Sequence, residues 1–220
     1  MNKTNMPAKL IIAIVIGVIA LTVNVYPYIA CNGSGIGYDG VGKSAIVISS
    51  PIEGYVIQGA GYFLNTGSAV YQLLTMVELQ DSQGLDINAL EKIADSASAN
   101  IEKAVDTYEL LIKAAEATPY NDEVQAKLKS FDYEAFAKEY GLTGTEFFEA
   151  AMFLRRGDIT GLYKRTHTRL KEIAGLLHSI KYDISNRQIP LIDSFRRLNN
   201  AFAETSLLGS YTAQVFSAII

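Results

Sequence analysis

Between residues 90 and 115 the apolar side chains fall at Leu90, Ala94, Ala97, Ile101, Val105, Tyr108, Ile112 and Ala115, in steps of three or four. Only an α-helix gathers such positions on one face, because a turn takes about 3.6 residues. The same step runs through Ile159, Leu162, Thr166, Leu170, Ile173, Leu177, Ile180 and Ile184. Two apolar stripes of that length have to be covered by other helices. Candidates for the cover are the stripes Phe63, Val70, Leu73, Leu74, Val77 and Ile192, Phe195, Leu198, Phe202. The spacing predicts an all-α fold, an antiparallel four-helix bundle with short connections.

Capping chemistry sets the expected boundaries. Asn88 with Glu91 reads as a capping box opening the helix that stops before Pro119, and Thr143 with Glu146 reads as a second box. Short helices near Asp132 to Tyr140, closed by Gly141, and near Gly144 to Arg156, stopped by Gly157, predict a two-helix insertion over residues 121–157. Asp158 is placed to cap the long helix that follows. Pro190 suits the first turn of the last helix, and Gly209 is expected to end it.

Residues 31–61 have a different character, with eight glycines at Gly33, Gly35, Gly37, Gly40, Gly42, Gly54, Gly59 and Gly61. β-Branched residues cluster at Ile46, Val47, Ile48 and at Val56, Ile57. That pattern predicts a tether with a small hairpin turned between Ser49 and Gly54, ahead of a helical domain over residues 62–220.

The N-terminus carries Lys3 and Lys9, an apolar run from Leu10 to Val23, and then Tyr28-Ile29-Ala30-Cys31. Cys31 is the only cysteine, so no disulfide framework is available. A basic start, a short apolar run and a small residue before the junction make up an export signal. The run is broken by Asn24 and Pro27 and is short for a membrane span, which needs about 20 apolar residues. Tyr28-Ile29-Ala30-Cys31 resembles the lipobox of bacterial lipoproteins, with Tyr28 where that family usually has Leu. The resemblance implies cleavage before Cys31, a diacylglycerol on its thiol, and a mature protein anchored in the cell envelope facing the periplasm or exterior. Residues 1–30 are then a signal peptide; an uncleaved anchor and plain secretion stay open as alternatives. Asn32 follows the cysteine, so the resemblance does not indicate retention at the inner membrane by an Asp signal.

Charge narrows the partners. The chain is net −4, and without residues 1–30 it has 17 basic against 23 acidic side chains, a balance that argues against nucleic acid. Residues 78–139 hold 14 acidic and 6 basic side chains, whereas residues 155–197 hold 10 basic and 4 acidic. The expectation is that these segments attract one another inside one bundle; a docking surface and a face against anionic headgroups are the rival readings.

Few motifs carry chemistry. Gly37 to Ser44 reads GYDGVGKS, which fits the P-loop pattern through Gly37, Gly42, Lys43 and Ser44. A P-loop follows a buried parallel strand and opens a helix; here an export signal precedes it and β-branched residues follow, so the match is read as chance. His167 and His178 are eleven residues apart. On a helix that separates them by about 16 Å, too far to share one ion. Lys164 and Gly175 stand three residues before them, where a di-iron bundle would have Glu. Glu146 and Glu149 resemble an acid/base pair by spacing, but capping explains the first and solvation the second. The 13 tyrosines and 9 phenylalanines read as core. The expected protein is non-enzymatic, without cofactor or metal, anchored to a membrane and bound to another envelope protein. A periplasmic sensor or small-ligand-binding four-helix bundle is the alternative, and a nucleotide binder the third.

Overall fold

A computed structural model of the chain describes residues 51–78, 86–118, 122–188 and 192–219. The described residues form seven helices and no strand: α1 (Pro51–Glu78), α2 (Ile87–Ala117), α3 (Asp122–Ser130), α4 (Tyr133–Tyr140), α5 (Thr145–Leu154), α6 (Ile159–Ser185) and α7 (Ile192–Ile219). The protein is all-α in this region, as the stripes predict. None of these helices is long and apolar enough to cross a membrane.

The start of α1 corrects the expected hairpin. Val56 and Ile57 are helical, and helix already covers residues 51–61, ahead of Tyr62. Ile52, Val56, Ala60 and Phe63 are all buried at helical spacing, so tertiary cover outweighs the weak helix preference of glycine and β-branched residues. Gly59 has a packing reason: a Cβ there would lie 2.9 Å from Cε2 of the buried Tyr108 on α2. The two helices cross so closely that only hydrogen fits. Residues 31–50 of the expected tether, and Pro190, lie outside the described residues.

Several helix ends also differ from expectation. α2 is capped by Asp86, whose Oδ1 accepts from the Ala89 amide at 3.1 Å, so Asn88 and Glu91 already lie within the helix. α5 has Gly144 at its N-cap without a side-chain cap bond, and Thr145 donates instead to Glu146 Oε1 at 3.1 Å. The Thr143 box therefore does not form. α7 runs through Gly209 to Ile219, because Leu208, Val215 and Phe216 are buried on either side of that glycine. Asp132 and Asp158 do cap, accepting from Ala135 and Gly161 amides at 2.9 and 2.7 Å. Gly141 and Gly157 take positive φ values of 65° and 69°, the left-handed geometry glycine adopts at least cost after a helix. The insertion holds three short helices, not two, since α3 precedes the expected pair.

Two apolar cores share the long helices. The larger takes side chains from α1, α2, most of α6 and the first half of α7, including Leu73, Ile101, Ile173 and Leu198. Phe63 and Phe202 meet in it at a ring-centroid distance of 4.8 Å. The smaller core joins α3, α4 and α5 to Ile159 and Leu162 at the start of α6 and to Leu208, Val215 and Phe216 on α7. On α2 the buried seam uses Ala104 and Leu111 where Val105 and Ile112 were expected; both of these are only partly buried. Four buried threonines are satisfied locally: Thr66, Thr107, Thr205 and Thr212 each donate to the carbonyl four residues earlier. Lys164 pairs with Glu116 at 2.7 Å and Lys181 with Asp95 at 2.8 Å, so the basic α6 lies along the acidic α2. The expected attraction between segments is realised here, although exposed pairs of this kind add little stability.

Candidate functional site

The insertion is built around aromatic rings. Tyr133 opens α4 and is buried, and its hydroxyl donates to the Leu128 carbonyl at 2.9 Å, tying α4 to the end of α3. Burial pushes the Tyr133 phenol up to about 12, with the nearby Arg155 acting the other way. Phe147 meets Phe136, Phe148 and Tyr211, so one buried ring fixes α5 against both α4 and α7.

Behind α5 lies a cluster of charges. Arg165 and Arg169 are four apart on α6 and therefore share a face, and each donates to a different oxygen of Glu149 on α5. Arg169 Nη1 also donates to Glu204 Oε2 on α7 at 3.0 Å. The Arg169 side chain is 8% exposed and that of Glu149 20%. A buried guanidinium has to be paired, and its planar fork can reach two carboxylates at once. The cluster thus clamps three helices together. Its carboxylate is already engaged on both oxygens, which leaves Glu149 poorly placed for proton transfer with a substrate. This corrects the reading of Glu149 as merely solvated.

The outer side of α5 is open. Phe148, Met152 and the adjacent Arg155 and Arg156 fall on one stripe past the end of the helix; Phe148 is 56% exposed and Met152 46%. Together with Tyr133, Glu134, Phe147 and Ala151 they line a groove of about 310 Å³ between α4 and α5. Arg155 stacks over the Tyr133 ring at 5.3 Å and reaches Glu134 at 3.8 Å. A second cleft, of about 410 Å³, sits at the start of α6 and is lined by Glu116, Asp158 and Lys164 among others. Asp158 is occupied there as the helix cap, and Lys164 by Glu116.

Of the residues singled out from sequence, only those beyond residue 50 can be placed. Cys31, Gly37, Gly42, Lys43 and Ser44 lie outside the described residues. His167 is half-buried on α6, and burial, followed by Lys171, lowers its pKa against the opposing pull of Glu109 and Asp106. His178 is exposed on the same helix. Among the described residues no three His, Cys, Asp or Glu side chains group as a metal site. Sequence reasoning missed Arg165, Arg169 and Glu204 in the clamp, and Phe148 and Met152 in the groove. Both had a signal: Arg169 sits beside the apolar seam at Leu170, and adjacent Phe147 and Phe148 lie about 100° apart around a helix, too far to face the same core.

Compared with protein-family models, with curated proteins and with solved structures, the chain matches none of them. Fold and surface then define its class by themselves: an all-α protein whose insertion presents an apolar and basic groove.

Proposed function

We infer that this chain is a membrane-anchored interaction module of the cell envelope that acts by binding another protein, not by catalysis. Its anchor is the acylated Cys31, supported by the basic start, the short apolar run and the lipobox-like Tyr28-Ile29-Ala30-Cys31. Its body is an antiparallel four-helix bundle of α1, α2, α6 and α7, a reading supported by the core those four helices share. The observation that carries the binding role is the exposed pair Phe148 and Met152 at the α4–α5 groove. Large apolar side chains left in water beside a groove are what protein interfaces cover. Two carboxylates that could serve chemistry are already engaged, Glu149 by two arginines and Asp158 by the Gly161 amide. A small-ligand site in the cleft at the start of α6 has less support, because Lys164 is already paired with Glu116.

Two measurements test this reading. Cys31→Ser should release the protein from membranes or hold it as an uncleaved precursor; a mature, correctly sized, membrane-bound Cys31→Ser protein defeats the anchor. A benzophenone side chain placed at Phe148 should cross-link to one envelope protein in intact cells, and its failure to do so defeats the binding role.

A further inference from the structure

We propose that the α4–α5 groove takes a short acidic segment of the partner, with one large apolar side chain seated among Phe147, Phe148, Ala151 and Met152 and an adjacent carboxylate held by Arg155 and Arg156. This rests on the interaction-module reading and gives the partner its chemistry.

Size is the first argument. A groove of about 310 Å³ stands at the lower edge of small-molecule sites, which run from roughly 300 to 1,000 Å³. It suits one anchoring side chain of a peptide, the element that carries most of the energy in such contacts. The floor is rigid and apolar, since Phe147 is clamped between α4 and α7 and Ala151 is buried. The walls are Phe148 and Met152, and a thioether adapts readily to the shape of whatever enters.

Charge is the second argument. Arg156 has no ion-pair partner among the described residues, and Arg155 has only Glu134, at 3.8 Å with both side chains exposed. Such a pair is weak and exchanges readily for a better carboxylate. The Tyr133 ring beneath Arg155 holds its guanidinium at the mouth of the groove, so less freedom is lost when an anion binds. Two cations against one acid make the mouth locally positive. The surroundings select a peptide over a bilayer. Residues 122–156 carry seven acidic and five basic side chains, net −2, and an anionic membrane spread across the insertion would meet that repulsion. A single carboxylate reaching the two arginines avoids it.

The test uses the full chain and labelled peptides with a Gly-Ser background around Asp-Leu-Phe-Asp, read by fluorescence anisotropy. Saturable binding is expected. It should weaken at least about tenfold with Arg156→Glu, with Phe148→Ser plus Met152→Ser, and with Asn in place of both peptide Asp residues. The substituted side chains are exposed, and unchanged melting by circular dichroism confirms that the variants fold. Equal binding of the Asn peptide, or binding that survives the Phe148/Met152 double substitution, overturns the proposal. So does co-sedimentation with phosphatidylglycerol vesicles that Arg156→Glu abolishes, because the groove then serves a membrane. A cross-link from position 148 to a partner segment lacking acidic residues sinks this inference and leaves the interaction module standing. Loss of both the cross-link and peptide binding removes both.

Discussion

Arg169 is almost wholly buried, and its charge is divided between Glu149 inside and the more exposed Glu204 at the rim. Removing a partner from a buried charge costs more than removing the charge itself, because the ion left behind has lost water and gained nothing. Glu149→Ala is therefore expected to lower stability by about 2 to 4 kcal/mol, less than a fully buried pair would because Glu204 remains. Arg169→Met, which fills similar space without charge, should cost less than Glu149→Ala. Urea midpoints rank the two, and the reverse order means that the cluster is solvated rather than buried. His167 gives a pH test. Its pKa in the folded protein is lowered, chiefly by burial, from the ordinary 6.5. Below pH 6.5 the unfolded chain binds a proton that the folded chain still refuses, so the stabilising contribution is complete above that pH and is lost as pH falls toward the folded value. Melting temperatures of His167→Gln should drop less than those of the parent between about pH 7 and about pH 5. Parallel curves would show that His167 charges freely in the fold.

At the scale of one helix, two of the four glycines of α1, Gly59 and Gly61, stand in opposite surroundings. A Cβ at Gly59 would come within 2.9 Å of Cε2 and 3.0 Å of Cδ2 of Tyr108, whereas one at Gly61 would meet nothing within 4 Å. Alanine favours a helix over glycine by about 1 kcal/mol at either position. Only at Gly59 does overpacking a buried ring oppose it, by about 1 to 3 kcal/mol. Gly61→Ala should thus raise the melting temperature and Gly59→Ala should lower it. A rise at both positions would mean that α1 and α2 are farther apart than described. The sequence alone treats these residues alike, since both read as glycines in a segment of β-branched residues. That is why the start of α1 looked like a tether. The burial of Ile52, Val56, Ala60 and Phe63 shows that the helical step was present there, masked by composition.

At the scale of the whole molecule, α6 and α7 pass unbroken through both apolar cores, so neither core can be lost without fraying helices that the other needs. Leu177→Ala in the larger core and Phe147→Ala in the smaller should each cost about 2 to 5 kcal/mol and should lower one common transition. Denaturation followed by circular dichroism and by tyrosine fluorescence checks this, and two separate transitions would show that the insertion unfolds by itself. The sequence by itself determined the all-α class, the long stripe on α6, and the stops at Gly141 and Gly157, because periodicity and backbone sterics act over a few neighbouring residues. It also placed Asp158 as a cap for the same reason. Only the tertiary structure decided that α7 continues through Gly209 and that Glu149 joins Arg165, Arg169 and Glu204. Those outcomes depend on which distant surface covers a residue. Phe148 and Met152 carry the same ambiguity: their letters say apolar, and only the packing of Phe147 on the inner side of α5 leaves them facing water.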